Sequence, residues 1–236
     1  NARTFAMAEK AGLPLMTICS TCQGVMAQAN ERLTGNPEYL ASINEDLKEE
    51  GLEYKGTIEP KHLLWIIAED LGIEFLESKI VRKLDGLKLA PFYGCYIVRP
   101  SKALGLKENP GRKEALEAVI EAVGGEVVDF PGKTLCCGFP ILTINPENSV
   151  NMVANHTIDA KDRGADAMVT PCPLCHLNLD GYQPNASSAR KREIDLPIIH
   201  LPQLVGLSLG IEPEKMRLNK HIVSTKKLLS ELAVTP

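Results

Sequence analysis

Five cysteines occur in this sequence at spacings that suit metal or redox chemistry. The stretch TLCCGFP puts Cys136 and Cys137 side by side, and Cys172 and Cys175 follow as a C-x-x-C pair. Together with Cys95 they form the pattern C-x40-CC-x34-C-x2-C. A C-x-x-C step lets two sulfurs bind one metal or cluster, because a tight turn points both side chains the same way. Five sulfurs exceed the four positions of tetrahedral zinc, whereas a multi-iron cluster can use all five.

The adjacent cysteines Cys136 and Cys137 need a bent backbone if both are to bind one centre. Neighbouring side chains in an extended strand point to opposite faces. Gly138 and Pro140 follow at once, and both residue types favour a bend. We therefore expect a loop, not a strand, at this pair.

A second C-x-x-C pair, Cys19 and Cys22, is less specific when taken alone. Such a pair binds a metal, works as a redox couple, or is merely structural, and the spacing does not choose between these alternatives.

The histidines give a weak signal. His176 follows Cys175 directly, but a histidine near a helix start is more often a surface or capping group. The other four histidines have no spacing that indicates a shared metal; they are His62, His156, His200 and His221. Trp65 lies in an apolar stretch and is expected in the core.

Composition excludes several classes of protein. The 236 residues carry a formal net charge of -4, so no basic field is available for binding nucleic acid. The longest apolar runs fall short of the roughly 20 residues that a membrane-spanning helix needs. No secretory signal is recognisable and the number of cysteines, seven, is odd, so we expect thiols in a reducing cytoplasm. The sequence also lacks a Walker loop and a G-x-G-x-x-G stretch.

One pattern of elements occurs twice. The first copy is a helix that stops at Gly12, a strand over 13–18 and the pair at Cys19 and Cys22. The second copy is a helix that ends at Gly164, a strand over 167–170 and the pair at Cys172 and Cys175. The rest of the sequence predicts further elements in chain order. These are a helix or helix pair over 57–81, a strand leading to Cys95, a helix stopping at residues 124–125 with a strand behind it, a strand over 198–201 and a helix after Pro202. The alternation predicts an α/β fold with metal-binding loops at strand ends.

Three segments carry a resemblance to a known family. YGCYIVRPSKALG, TLCCGFP and CPLCHLNLD resemble, in that order, the cysteine-rich CCG domain of the B-type subunits of heterodisulfide reductases. Thiol:fumarate reductases and the E-type subunits of certain succinate dehydrogenases contain the same domain. The resemblance implies two CCG domains related by a pseudo-twofold axis. It also implies a noncubane [4Fe-4S] cluster on the five cysteines of each domain, with the two clusters facing a disulfide substrate.

The sequence departs from the family pattern in its first half. With equal spacing, the cysteines that would complete the site of Cys19 and Cys22 precede residue 1, so we expect that about sixty residues of the first domain are missing. The expected domains are a remnant of the first CCG domain with a helical connector over 1–86, and a complete second CCG domain over 87–236. Cys19 and Cys22 then form a partial site, in which zinc is the alternative to iron.

The resemblance implies an oxidoreductase that acts on sulfur groups. Its role would be to reduce or form a disulfide in one-electron steps at the clusters themselves, and the sequence identifies no catalytic side chain. The expected partners are a ferredoxin-like C-type subunit and a flavin-containing A-type subunit, or the flavoprotein and iron-sulfur subunits of a succinate dehydrogenase. These partners could bring a cytoplasmic chain to a membrane surface. The alternative is a non-catalytic subunit that relays electrons or docks a complex to a membrane.

Overall fold

Two separate parallel sheets organise the chain. The computed structural model describes residues 1–232. A two-stranded sheet contains β1 (Leu15–Thr17) and β2 (Pro60–His62). A four-stranded sheet follows with the order β4-β3-β5-β6, and all of its pairings are parallel. Its strands are β3 (Lys88–Pro91), β4 (Glu126–Val127), β5 (Ala167–Thr170) and β6 (Ile198–His200). The predicted α/β class is confirmed.

Helices surround both sheets. A π-helical segment, Ile66–Gly72, joins α4 to α5. No helix within residues 1–232 combines the length and the apolar character needed to cross a membrane. The α-helices are α1 (Ala2–Ala11), α2 (Ser20–Gly35), α3 (Pro37–Lys48), α4 (Leu63–Trp65), α5 (Ile73–Lys79), α6 (Ala115–Ala122), α7 (Pro146–Asp162), α8 (Pro173–Gly181), α9 (Gln183–Arg190), α10 (Leu201–Ser208) and α11 (Lys226–Glu231).

Local sequence explains several helix ends. Helix α1 stops at Gly12, which adopts the left-handed conformation that a C-cap favours. Helices α3 and α7 both begin with proline behind an asparagine N-cap, and the Asn36 and Asn145 side chains accept hydrogen bonds from backbone amides of the first turn.

Side chains alternate across the four-stranded sheet and build a core on each face. Leu89, Val169 and Ile199 lie in one core, together with apolar residues of α6 and α10. Met168 and Ile198 lie in the other, together with residues of α7 and α8. Helices on both faces of a parallel sheet give a three-layer arrangement. The N-terminal helices form a smaller core of their own around Phe5, Leu33 and Tyr54.

The first 86 residues also pack directly on the four-stranded sheet. Trp65 is fully buried in the same core as Leu89 and Val169, as the sequence predicted for a core residue. Helix α2 approaches the loop after β3 so closely that a Cβ on Gly24 would lie 2.6 Å from the Tyr96 carbonyl oxygen. The two parts of the chain are therefore in close contact.

The same residue types are paired at the end of each sheet. Thr17 at the end of β1 lies opposite His62 at the end of β2, and Thr170 at the end of β5 lies opposite His200 at the end of β6. Each threonine precedes the first cysteine of a C-x-x-C pair by two residues. The repeated pattern read from the sequence therefore extends to a second strand in each sheet. The division at residues 86 and 87, and a pseudo-twofold relation between domains, stay predictions.

Some boundaries differ from those predicted. Strand β5 spans 167–170 as expected, but β1 is shorter than the predicted 13–18. Strand β2 was missed, because Pro60, Lys61 and His62 show no apolar alternation and are ordered by pairing with β1. Leu201 begins α10 and does not end β6, because His200 is already the N-cap of that helix. The last four residues of the predicted second domain, 233–236, lie outside the described part of the chain.

All five histidines are at least partly shielded from water, and the pKa of each lies below its usual value, mainly because of burial. His62 is the extreme case, with 1% of its surface exposed and a pKa lowered to about 4. The chain therefore contains histidines that are neutral at pH 7 and costly to protonate in the folded state.

We expect the free energy of unfolding to fall as the pH is lowered from 7 to 5. In the unfolded chain His62 binds a proton near pH 6.5, whereas in the folded chain it does so only near pH 4. Its stabilising contribution is therefore complete above pH 6.5 and is lost as the pH falls toward 4, by about 2 kcal/mol at pH 5. Urea unfolding at a series of pH values measures this, and a His62→Gln variant should show a shallower pH dependence. Equal slopes in the two proteins would contradict the expectation.

A second expectation concerns two glycines of α2. Gly24→Ala should lower the free energy of unfolding by about 1–2 kcal/mol, because the new methyl group meets the Tyr96 backbone. Gly35→Ala is the matched control in the same helix, since nothing lies within 4 Å of its Cβ position, and it should be neutral or stabilise by up to about 1 kcal/mol. Thermal and denaturant unfolding give both values. A Gly24→Ala variant as stable as Gly35→Ala would refute the close contact.

Candidate metal centre

Both C-x-x-C pairs lie at the carboxyl ends of parallel strands, as predicted. Cys19 follows β1 by two residues and is the N-cap of α2, and Cys172 has the same relation to β5 and α8. Each helix begins directly after the first cysteine of its pair. Cys22 and Cys175 therefore lie in the first turn of the two helices.

The two pairs meet across the two sheets. The sulfurs of Cys19 and Cys172 are 3.8 Å apart. The Thr21 hydroxyl, which belongs to α2, also lies 3.8 Å from the Cys172 sulfur. Cys172 is thus surrounded by its own helix and by the start of the other one.

The vicinal cysteines lie in a bent loop, as expected. Gly138 has a φ of 96°, and its amide donates a 3.4 Å hydrogen bond to the Cys136 sulfur. The carbonyls of the pair are also held: the Asn178 amide donates to Cys137 at 2.7 Å, and the His156 imidazole bonds to Cys136 at 2.9 Å. These contacts fix a conformation in which adjacent side chains need not point to opposite faces.

Cys95 reaches the same place from the loop after β3. The preceding residue, Gly94, has a φ of 70°, and a Cβ at this position would lie only 2.8 Å from the Cys175 sulfur. Glycine is therefore required by both the conformation and the space. This close approach brings the β3 loop onto helix α8.

Each of the seven free thiols affects the ionisation of a neighbouring thiol, and they form one run in the order Cys95, Cys136, Cys137, Cys175, Cys172, Cys19, Cys22. The tightest contact between the two pairs is that of Cys19 and Cys172, at 3.8 Å. The pKa of Cys136 is lowered, mainly because the Cys137 thiol donates to its sulfur and then because Cys95 does so. The pKa of Cys172 is lowered in the same way by Cys175 and Cys19. The donors become harder to ionise, and the pKa of Cys137 rises to about 12. The run therefore contains two positions that favour thiolate.

A cavity of about 220 Å³ opens beside this run. Four of the thiols line it, and none of its lining residues is charged; they are Ser20, Thr21, Cys95, Tyr96, Cys137, Phe139, Pro140, Cys172, Leu174 and Cys175. Soft sulfur ligands around an apolar space suit an iron-sulfur cluster. The residues present therefore fit the group that the sequence implied.

A site for a single ion is not formed in the described part of the chain. Within residues 1–232, no three His, Cys, Asp or Glu side chains are placed to hold one metal ion.

The structure also places residues that the sequence analysis did not assign. His176 is neither a cap nor on the surface, since Cys172 is the N-cap of α8 and the His176 ring packs 4.6 Å from that of His221. Asn178 could have been found from its position three residues after Cys175, on the same side of α8. No sequence signal marks His156 or Thr21, because their partners are distant along the chain.

Comparison with known proteins supplies the family. A family model described as "Cysteine-rich domain", CCG, matches residues 89–180. The chain is 37% identical over 228 residues to the 8-methylmenaquinol:fumarate reductase membrane anchor subunit of Wolinella succinogenes, covering 97% of this chain and 78% of that one. It is 33% identical over 235 residues to the B subunit of the ferredoxin/F420H2-dependent CoB-CoM heterodisulfide reductase of Methanosarcina acetivorans, covering 98% and 77%.

Two further likenesses agree with this. A protein of Archaeoglobus profundus that is named as similar to the B subunit of heterodisulfide reductase is 33% identical over 218 residues, covering 91% of this chain and 73% of that one. Among solved structures, a hypothetical protein from Helicobacter pylori superposes with a TM-score of 0.73 over 94% of this chain and 40% of its own, at 20% identity, which shows a shared fold. The cysteine pattern, its geometry and these relatives together establish that the chain belongs to the family of heterodisulfide reductase B subunits, which are cysteine-rich CCG-domain proteins.

Proposed function

We propose that this chain is the cysteine-rich electron-transfer subunit of a redox complex, in which it reduces or forms a disulfide by way of an iron-sulfur cluster. The single observation that carries the proposal is the run of seven thiols, which joins both C-x-x-C pairs beside an uncharged cavity. Cys95, Cys136, Cys137, Cys172 and Cys175 would hold the cluster, of the noncubane [4Fe-4S] type. Cys19 and Cys22 would contribute to a second site, for iron or zinc.

The cluster, when bound, would supply one-electron chemistry to a substrate that needs two electrons. The net reaction is RSSR′ + 2e⁻ + 2H⁺ → RSH + R′SH. The sequence contains no flavin- or nicotinamide-binding motif, so a partner subunit would provide the electrons. A ferredoxin-like subunit with a flavin-containing subunit, or the subunits of a dehydrogenase of the succinate type, would fill this role.

The protein's own contribution is to hold the sulfurs and to keep water from them. Cys137, Cys172 and Cys175 are each at most 5% exposed. The backbone amide of Gly138 donates to the Cys136 sulfur at 3.4 Å and favours its ionised form, and the backbone beside Cys137 and Cys172 acts to lower the pKa of those two thiols in the same sense. Hydrogen bonds to sulfur and burial are two of the means by which proteins set the potential of an iron-sulfur site.

A second candidate is a non-catalytic subunit that relays electrons or docks a complex to a membrane. Its support is the Wolinella relative, which is named a membrane anchor subunit. Exposed apolar side chains next to the cysteine loops suit a docking face for another subunit: Ile18, Tyr96, Leu135 and Leu177 are between 36% and 56% exposed.

Anaerobic assay of the complex separates the two candidates. Reduced methyl viologen is supplied as the electron source, and thiol release is followed with the CoB-CoM heterodisulfide and with a small symmetric disulfide. Thiol release that depends on this chain supports the proposal. Reoxidation of the viologen by a quinone, with no thiol released from either disulfide, would support the relay instead.

Variants of the cysteine run give a prediction about the cofactor itself. Cys136→Ser and Cys137→Ser should each remove or convert the cluster, because a hydroxyl oxygen is a poor ligand for iron in a sulfur-rich site. His176→Gln should leave it in place, since its ring packs on His221 and not on the thiols. Iron and acid-labile sulfide are counted on anaerobically purified chains, together with the electron paramagnetic resonance spectrum. Full iron and sulfide content in both cysteine variants would show that the vicinal pair does not bind the cluster.

A further inference from the structure

Two histidines occupy equivalent positions at the ends of the two sheets. His62 ends β2 opposite Thr17, and His200 ends β6 opposite Thr170. Each is the N-cap of the helix that follows it. Neither belongs to the run of thiols.

The protonation of His62 follows from its contacts. Its Nδ1 accepts a 3.0 Å hydrogen bond from the Leu64 amide, so the proton is on Nε2. This Nε2 lies 3.1 Å from the carbonyl oxygen of Pro171 and donates to it. The ring is 1% exposed, so both bonds are shielded from water. His62 therefore connects the two-stranded sheet to a residue of the other sheet's cysteine loop.

Pro171 is the residue between the end of β5 and Cys172. A proline has no N–H, so its carbonyl is the only backbone polar group that this turn offers at that position. The next amide, of Cys172, bonds to the Thr170 hydroxyl at 3.3 Å within its own loop. The bond from His62 is thus the tie between this turn and β2, and the turn sets the direction of the thiol that lies 3.8 Å from Cys19.

His200 does not form the equivalent hydrogen bond. The ring of His200 lies beside the carbonyl of Ile18, which precedes Cys19, and beside that of Pro171, and both carbonyls raise the pKa of His200 in opposition to burial. Its Nε2 nevertheless makes no hydrogen bond within residues 1–232. The two positions are equivalent in register but unequal in bonding.

We propose that His62 is a positioning residue that ties the Cys172 turn to β2 and thereby sets the contact between the two C-x-x-C loops. His200 occupies the equivalent position at the Cys19 turn but makes no such bond in the described part of the chain. The proposal concerns the placement of the thiols and does not depend on which cofactor they hold.

Two substitutions separate this role from simple helix capping. His62→Asn keeps a polar atom near the position of Nδ1 and can still cap α4 at the Leu64 amide, but it is too short to reach Pro171. His62→Gln keeps a donor near the position of Nε2 and can reach the carbonyl, but it gives up the Nδ1 cap. Asn44→Ala is the control for general loss of stability, because it removes two hydrogen bonds to the Tyr54 backbone, at 2.9 Å each, in the N-terminal core.

The test measures disulfide formation between Cys19 and Cys172 in the metal-free, 236-residue chain. Cys22→Ser and Cys175→Ser leave one cysteine in each of the tryptic peptides 11–32 and 164–190. Diamide oxidises the pair, and the joined peptides are quantified against time by mass spectrometry. We expect His62→Asn to slow cross-linking about tenfold, which corresponds to about 1.4 kcal/mol, the size of one buried hydrogen bond. His62→Gln should stay within about twofold of the parent, Asn44→Ala should not differ from it, and His200→Asn should also stay within about twofold, because the Nε2 of His200 makes no hydrogen bond within residues 1–232.

Equal rates for His62→Asn and His62→Gln would overturn the proposal. If His62→Asn does not fold, His62→Gln decides alone, through amide hydrogen exchange at Leu64. Faster exchange with unchanged cross-linking supports the proposal, since the cap is lost while the tie is kept. Slower cross-linking together with faster amide exchange at Leu64 would overturn it. Because no cluster is present in this experiment, either outcome is independent of the proposed electron-transfer function.

Discussion

The contact between the Cys19 and Cys172 sulfurs, 3.8 Å apart, imposes the main constraint on this structure. The two cysteines follow strands of different sheets, so the contact requires the carboxyl edges of both sheets to face each other. Parallel strands make this arrangement feasible, because each sheet then brings its loops and helix starts to one edge. Gly24 of α2 lies where the two parts approach closely, since a Cβ there would come within 2.6 Å of the Tyr96 carbonyl oxygen. At Gly94 a Cβ would come within 2.8 Å of the Cys175 sulfur, so the β3 loop can approach α8 only with glycine there. Close approach at these two glycines helps to position the thiols.

The same proximity creates an electrostatic problem that the protein solves with hydrogen bonds. Seven thiols in one run would repel one another if all were ionised in a site with little water. Protons are shared unevenly instead, and the pKa values of Cys136 and Cys172 are lowered at the expense of their neighbours. Amides at helix starts and in the Gly138 bend add further donors. A cationic metal cluster would replace these protons, which is why binding at such a site releases protons and adds to the stability of the fold.

The relatives show that the fold does not specify the reaction. The Helicobacter protein shares the fold at 20% identity, while relatives at 33% and 37% identity are named for two different reductases. Function on a shared fold is decided by the site and by the subunits around it. In this chain the site is the thiol run with its cavity, and the apolar side chains that flank it, such as Tyr96 and Leu177, would face whatever subunit or substrate completes the complex.

Local sequence was enough to predict the α/β class, strand β5, the stop of helix α1 at Gly12, and the five-cysteine pattern that indicates an iron-sulfur site. These features depend on residues close together in the chain, through periodicity, capping and the bend at Gly138. It did not reveal β2, whose three residues are ordered only by pairing with β1, nor the separation of the Cys19 and Cys172 thiols. The roles of His62, His156 and Thr21 were equally hidden, because each bonds to a partner that is 20 or more residues away. Only the packing of one sheet edge against the other decides which of these side chains meet.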